Sequence, residues 1–91
     1  MNGYGFSAML RNVEIRDRVT KDLRAIPKNE AERILNAIYA LRTGMSGDVK
    51  KLTNYSPSYR LRIGNWRVLF DIEGNKVTVY RVLNRKDAYR G

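Results

Sequence analysis

The sequence contains no cysteine and no histidine. Without cysteine the chain can form neither a disulfide scaffold nor a thiolate zinc site, which fits a reducing compartment. Without histidine, proton transfer by an imidazole pair is excluded. No apolar run approaches the roughly 18 residues that a membrane span needs, and the N-terminus does not have the pattern of a secretion signal. We therefore expect a soluble, cytoplasmic protein that does not associate with membranes.

Acidic residues are also scarce, and they are scarcest in the second half of the chain. Eighteen lysines and arginines against nine aspartates and glutamates give a net charge of +9. Residues 1–48 contain eight basic and six acidic residues, whereas residues 49–91 contain ten basic and three acidic residues, so the second half carries +7 of the +9. A basic excess concentrated on one unit attracts polyanions. Nucleic acid is the first candidate partner, and an acidic protein is the second.

The length of 91 residues fits one domain with a modest core. Residues 1–10 have little periodicity, and we interpret them as a leader without regular structure; the domain then spans residues 11–91. Val13 and Ile15 alternate with polar and charged neighbours, which predicts a short strand that pairs with distant strands.

Two amphipathic helices are predicted next, one on each side of Pro27. The first has two turns and begins near Asp17, a potential N-cap. The second runs from about Lys28 to Thr43, and its apolar stripe must be covered by the rest of the chain. Residues 44–58, which are rich in glycine, serine and asparagine, are predicted to form a loop.

The segment from residue 59 to 80, YRLRIGNWRVLFDIEGNKVTVY, contains the dipeptide Gly-Asn twice. Gly64-Asn65 and Gly74-Asn75 each fit a two-residue hairpin turn, in which glycine adopts a positive φ at the least cost. Two such turns predict a three-stranded antiparallel meander. Together with the first strand and the helices, the meander predicts an α+β fold: one twisted sheet with the helices on one face.

Side-chain alternation divides the meander into two faces. The apolar face, which we expect to cover the helices, comprises Tyr59, Leu61, Ile63, Trp66, Val68, Phe70 and Ile72. The other face carries Arg60, Arg62 and Arg67. Arg62 lies directly opposite Arg67, and like charges so placed cost about 0.2–1 kcal/mol. These are either solvated arginines whose stems cover apolar surface or a cluster that holds a phosphate. The local sheet offers no carboxylate opposite them, which favours the phosphate.

The order of strand, two helices, VKKL, YRLRIGNWRVLF and KVTVYRVLNRKDAYR resembles the RelE/ParE superfamily of bacterial toxin–antitoxin toxins over residues 11–90. The most specific pieces are the run YRLR-x-G-x-W-R-V at 59–68 and the closing R-K-D-x-Y-R at 85–90. The resemblance implies a RelE-like fold. It also implies one of two activities: cleavage of messenger RNA without metal, usually in the ribosomal A site, or inhibition of DNA gyrase.

For the ribonuclease branch, the resemblance implies a catalytic set of four residues: Arg60, Arg67, Arg85 and Tyr89. The arginines would stabilise the phosphate. Tyr89 is the best candidate for proton transfer, although it could equally stack on a base or anchor the end of the chain. Ser58 and Asn84 depart from the family pattern, since some members have basic residues there. The identity of the general base therefore stays open.

Four further basic residues are candidates for RNA binding: Lys50, Lys51, Arg62 and Lys86. Lys50 and Lys51 are explained equally well as solvated loop lysines. We expect no metal and no other cofactor, because the carboxylates of the second half are few and scattered. The expected partners are messenger RNA, the ribosome and an acidic antitoxin that is partly disordered alone and forms a hetero-oligomer with the toxin. A basic binding module without catalysis is the remaining interpretation.

Overall fold

The computed structural model describes residues 10–45 and 47–88. Its elements are β1 (Asn12–Ile15), α1 (Asp17–Arg24), α2 (Lys28–Ala40), β2 (Asp48–Lys51), β3 (Tyr59–Ile63), β4 (Trp66–Glu73) and β5 (Lys76–Asn84). The predicted α+β class is confirmed. The leader proposed for residues 1–10 lies outside the described residues, apart from Leu10. Neither described helix has the length and apolar character to cross a membrane.

One mixed sheet contains all the strands, in the order β1-β5-β4-β3-β2. β1 runs parallel to β5, which confirms that it pairs with a strand distant in sequence, and the other neighbours are antiparallel. The predicted meander is present as β3, β4 and β5, with Arg62 opposite Arg67. Gly64 and Gly74 have φ values of 56° and 60°, a conformation that glycine adopts without steric cost.

β2 corrects the prediction that residues 44–58 form a loop. Residues 48–51 pair with β3 in antiparallel register. This short strand has one apolar residue, Val49, which packs against the core from its position opposite Leu61. A single apolar residue gives no periodicity, and the surrounding glycine and serine favour a loop. The strand forms because it supplies backbone partners for the outer edge of β3.

The helices also differ in detail from their predicted ends. Asp17 is the first helical residue and not the N-cap, which is Arg16 and makes no side-chain capping bond. The carboxylate of Asp17 still lies in the first turn, where the helix dipole favours negative charge. α2 ends at Ala40, and residues up to Thr43 form a turn in which the Thr43 N–H donates to the Ala40 carbonyl at 3.2 Å.

The core lies between the two helices and one face of the sheet, here called the inner face. Burial of each aliphatic or aromatic side chain contributes about 1.5–3 kcal/mol relative to its exposure. The opposite face of the sheet, here called the outer face, carries the polar and charged side chains of the central strands. The fully buried core side chains are Val19, Ile34, Ile38, Leu41, Leu61, Val68, Phe70, Val77 and Val79.

α1 is fastened to the part of β5 that β1 does not reach. β1 pairs with residues 76–79, so the edge of β5 is free beyond them. There Asp22 of α1 accepts a hydrogen bond from the N–H of Val82 at 2.9 Å. It also accepts two from Arg81, from Nε at 2.9 Å and from Nη2 at 3.1 Å. One carboxylate thus satisfies a strand-edge donor and a guanidinium, and so fixes α1 against the sheet.

Asp22→Asn is expected to destabilise the protein at neutral pH and to flatten its acid unfolding profile. Burial would raise the pKa of Asp22, but the hydrogen bonds from Arg81 and Val82 outweigh it and hold the pKa below its ordinary value of 3.8. A lowered pKa stabilises the fold above the unfolded-state value of about 3.9. That stability is lost as the pH falls through the folded-state pKa. We expect Asn to cost about 1.5–3 kcal/mol at neutral pH and much less at about pH 3.

Urea unfolding at both pH values measures this difference. Asp17→Asn is the control, because it makes the same chemical change at an exposed position of the same helix. Equal losses in the two variants at neutral pH would show that Asp22 is no special anchor.

Candidate functional site

The candidate residues are brought together in rows across the outer face. Side chains that are register partners on neighbouring strands point to the same side of the sheet, and the strands lie about 4.8 Å apart. Residues distant in sequence therefore come within ion-pair range. One row is Asp48, Arg62, Arg67 and Leu83, and the next is Lys50, Arg60, Leu69 and Arg81.

Asp48 supplies a carboxylate where the sequence analysis expects none. Its Oδ1 lies 3.2 Å from Nη1 of Arg60, and its Oδ2 lies 2.5 Å from Nη2 of Arg62. The expectation that no carboxylate lies opposite these arginines is therefore wrong, because the acid comes from the unpredicted strand β2. Desolvation would raise the pKa of Asp48, but the charges and hydrogen bonds of Arg62 and Arg60 lower it below its ordinary value. The carboxylate is thus ionised at neutral pH.

Arg60 is an enclosed residue, with 11% of its side chain exposed. Its Nη1 donates to the backbone carbonyl and to Oδ1 of Asp48, each at 3.2 Å. Two bonds to one residue fasten β2 to β3 and compensate the buried charge. Its register partner, Leu69, is also buried. Arg60 therefore has a structural role in this geometry and offers little surface to a ligand.

Arg67 is oriented without being neutralised. Its Nη1 donates to the backbone carbonyls of Gly64 and Trp66, each at 3.0 Å. The hairpin that carries it is fastened to α2, since Nε1 of Trp66 donates to Oε1 of Glu30 at 2.9 Å. Within residues 10–45 and 47–88, no carboxylate forms an ion pair with Arg67. A fixed guanidinium with uncompensated charge is suited to bind an anion.

The turn after β5 places two more basic residues at the same end of the sheet. The N–H of Arg85 donates to the carbonyl of Asn65 at 2.8 Å, beside the β3–β4 hairpin turn. The side-chain oxygen of Asn84 accepts a hydrogen bond from the N–H of Lys86 at 3.0 Å, which closes the turn. Both basic side chains are exposed. We call the four residues at this end of the sheet the basic cluster: Arg62, Arg67, Arg85 and Lys86.

The two candidate lysines of β2 stand apart from the basic cluster. Both are exposed on an edge strand. Lys50 is the register partner of Arg60 and so belongs to the outer face, whereas Lys51 is the partner of Tyr59 and points to the inner side. The structure therefore groups Lys50, and not Lys51, with the other basic candidates.

Tyr89 lies outside the described residues, but the chain is anchored just before it. Ala88 is 1% exposed. Its carbonyl accepts a hydrogen bond from the hydroxyl of Tyr55 at 2.9 Å. The loop between β2 and β3 thus holds the turn that follows β5 as far as Ala88.

Two residues of this region escaped the sequence analysis. Asp48 did carry a signal, since it is the single acidic residue between Glu32 and Asp71. Tyr55 carried none, because its partner is a backbone carbonyl 33 positions away. In the part of the chain that the structure describes, no three potential metal-ligating side chains come together.

The sequence as a whole matches a known family. Residues 13–89 match the family model described as the ParE toxin of the type II toxin-antitoxin system, parDE. The chain is also 34% identical over 74 residues to Toxin RelE3 of Methanocaldococcus jannaschii, and this alignment covers 76% of the chain and 84% of that protein.

Solved structures of similar proteins share the fold. A chain of the RelB-RelE antitoxin-toxin complex from Methanococcus jannaschii matches with a TM-score of 0.71 and 29% identity, covering 84% of this chain and 94% of that one. A chain of the archaeal RelE-RelB complex from Pyrococcus horikoshii OT3 matches with a TM-score of 0.66 and 26% identity, covering 88% and 100%. The family model, the relative and the shared fold show that this chain belongs to the RelE/ParE superfamily and is a RelE-like toxin of a type II toxin–antitoxin system.

Proposed function

We propose that this toxin is a metal-independent endoribonuclease that cuts messenger RNA in the ribosomal A site and so inhibits translation in the cytoplasm. The observation that carries the proposal is the guanidinium of Arg67, which two backbone carbonyls hold opposite Arg62. Arg67 has no ion-pair partner among the described residues and lies opposite a second guanidinium, an arrangement suited to bind a phosphodiester.

The reaction needs no group beyond the RNA and the side chains of the toxin. The 2′-hydroxyl attacks the adjacent phosphorus, a bond forms between them, and the bond from phosphorus to the 5′-oxygen breaks. The products are a 2′,3′-cyclic phosphate and a free 5′-hydroxyl. A base must take the proton from the 2′-oxygen, and an acid must give one to the leaving oxygen. DNA has no 2′-hydroxyl and is not cut.

The basic cluster supplies the charge stabilisation. In the proposal, Arg67 binds the phosphoryl oxygens, whose negative charge grows in the transition state. Arg85 stabilises the leaving oxygen by its charge, because a guanidinium is a poor proton donor. Arg62 and Lys86 bind the flanking phosphates.

The four candidates outside the basic cluster differ in their roles. Tyr89 is the candidate for proton transfer, and its nearness in sequence to Arg85 would favour the phenolate. Arg60 supports the site by fastening β2 to β3, since its bonds to Asp48 occupy it. Lys50 extends the RNA-binding surface across the outer face, and Lys51 is left as a solvated lysine.

Inhibition of DNA gyrase without nuclease activity is the second candidate function. The match to the ParE toxin model favours it, whereas the relatives named RelE favour the ribonuclease. The basic cluster decides between them in our proposal. An inhibitor that binds a protein surface has no need for an oriented, unpaired guanidinium among exposed basic residues at one end of a sheet.

We also infer that an antitoxin covers part of this molecule in a hetero-oligomer. The similar chains from Methanococcus jannaschii and Pyrococcus horikoshii were solved as complexes of RelE with RelB. Here an apolar groove lies between α1, α2 and β1. Tyr39 in this groove is 45% exposed. An acidic amphipathic segment would bury the groove and complement the net charge of +9. The groove is lined by Ile15, Thr20, Leu23, Arg24, Leu35 and Tyr39.

A paired assay tests the proposed function. The purified toxin is added to ribosomes translating a defined messenger RNA, and separately to gyrase with relaxed plasmid DNA. We expect cleavage within the A-site codon, 2′,3′-cyclic phosphate ends on the products, and unchanged supercoiling. Loss of supercoiling with intact messenger RNA would support the gyrase function instead. No effect in either reaction would support a binding module without catalysis.

A further inference from the structure

Asp48 places a negative charge inside the most basic part of the molecule. It shares a row with Arg62 and Arg67: its carboxylate is in direct contact with the Arg62 guanidinium, and the backbone of Arg67 lies two strand spacings from its own. Both arginines belong to the basic cluster. An anion that binds this cluster therefore meets the carboxylate of Asp48 at close range.

The two ion pairs of Asp48 are unequal. The pair with Arg60 is enclosed, and a second bond from Arg60 to the Asp48 backbone carbonyl reinforces it. The pair with Arg62 is open to solvent: 56% of the Arg62 side chain and 40% of the Asp48 side chain are exposed. Exposed ion pairs exchange readily with other ions. Arg62 is therefore the partner that Asp48 can release.

Building on the proposed function, we propose that Asp48 is an intramolecular competitor of RNA. In the free toxin its carboxylate occupies Arg62, and a phosphate of the RNA takes its place when the substrate binds. Arg60 keeps Asp48 attached to β3 during this exchange. Carboxylate and phosphate oxygens use the same donors of a guanidinium, so the two cannot both pair fully with Arg62.

The exchange favours RNA substrates that contact the whole basic cluster over those that contact only part of it. Each RNA must displace Asp48 from Arg62 before it gains that contact, and the remaining carboxylate repels the phosphate. Binding to a short or isolated RNA segment is thereby weakened. A substrate that engages the whole basic cluster at once recovers the loss through its other contacts.

Asp48→Asn tests this competition directly. Asparagine keeps a side-chain oxygen and the backbone carbonyl for Arg60, but it has no charge to compete with phosphate. Binding is followed by fluorescence anisotropy with a single-stranded 2′-O-methyl RNA oligonucleotide, which the toxin cannot cut. We expect about three- to tenfold tighter binding at low salt. We also expect the plot of log affinity against log salt to steepen by about 0.7, one further phosphate contact on a single strand.

Two comparisons separate competition from simpler effects. In an Arg62→Ala background, Asp48→Asn should give a smaller gain than in the wild type, because the contested donor is absent and only the repulsion by the carboxylate is relieved. Asp71→Asn removes a charge from another outer-face residue, one that accepts the Ser58 N–H at 2.6 Å and has no arginine partner among the described residues. It should change binding less than twofold. An equal gain at Asp71 would overturn the proposal, because net charge alone would then explain it.

The remaining outcomes also distinguish competition from other roles of Asp48. Weaker or unchanged binding by a folded Asp48→Asn variant would overturn the competition and show that Asp48 positions Arg62 or only fastens β2. Asp48→Ser, which also keeps an oxygen acceptor, is measured beside it, so that a misfolded Asn variant does not end the test. Absence of RNA binding by the wild type and by every Asp48 variant would overturn the proposed function as well. Binding by wild type without a gain in the variants would overturn the competition alone.

Discussion

Arg67→Ala is expected to slow cleavage of messenger RNA by about 10²–10³, the usual cost of losing one fixed donor from a site where negative charge develops. Arg67 qualifies as such a donor because backbone carbonyls orient it and no described carboxylate neutralises it. Folding should hardly change. The carbonyls it contacts lie at the β3–β4 turn, where water can replace the guanidinium on the exposed Gly64 carbonyl, and removing Arg67 relieves its repulsion with Arg62, about 0.2–1 kcal/mol.

Single-turnover cleavage on programmed ribosomes measures the rate, and urea unfolding measures the stability. Lys76→Ala is the matched control: it removes one positive charge from the opposite end of the meander, where the exposed lysine pairs with Glu14 at 3.1 Å. Its cleavage rate should stay near that of the wild type. Equal losses in both variants would mean that overall charge, and not a positioned guanidinium, supports the reaction. A wild-type rate for Arg67→Ala would remove this residue from the site.

The meander was predictable from sequence because its determinants are local. Gly64 and Gly74 fix the turns, and a two-residue turn fixes which residues face each other. From that register the separation of the apolar side chains from Arg62 and Arg67 follows by alternation alone. The two helices were predictable for the same reason, since their apolar stripes repeat at helical spacing. Their caps were not, because capping depends on side-chain geometry at single residues.

β2 was not predictable because nothing local specifies it. Its strand conformation comes from pairing with β3, a tertiary effect that outweighs a loop-like composition. Treating residues 48–51 as a loop also affected the prediction of the site. With β2 treated as a loop, Asp48 had no place opposite Arg62, and Arg60 looked like a free cation. In the structure Arg60 is enclosed and bonded to Asp48, whereas Arg67 remains the phosphate ligand that we propose.

Asn84 shows why a departure from a family pattern can be structural. Some members of the ribonuclease branch have a basic residue at this position, which suggests a lost catalytic group. Here the Asn84 side chain accepts the N–H of Lys86 and closes the turn after β5. That turn sets Arg85 beside the β3–β4 hairpin. Asn84 therefore has a structural role in this turn, and in the proposed function proton transfer is assigned to another residue.

Tyr89 is the proposed proton-transfer residue, and the variants Tyr89→Phe and Tyr89→Ala test this role. General acid–base catalysis by a positioned side chain contributes about 10²–10⁴ to a rate. If the phenol transfers a proton, Phe and Ala should both lose this factor, because neither has a hydroxyl. If the ring only stacks on a base, Phe should keep most of the rate and Ala should not. The comparison needs no assumption about where the ring lies.

The pH dependence of cleavage separates the chemical role from the alternatives. A phenol acting as base is active when ionised, so wild-type cleavage should rise with pH up to the pKa of the phenol. The residual activity of Tyr89→Phe should lack this rise.

Tyr55→Phe is the control. It also removes one phenolic hydroxyl, and with it the bond to the Ala88 carbonyl, but it removes no group that titrates in the proposed reaction. The pH profile should therefore persist in Tyr55→Phe even if its rate falls because the turn is less firmly held. A rise that survives in Tyr89→Phe would assign the proton transfer to another group, and near-wild-type rates for both Tyr89 variants would make the ring an anchor of the chain end.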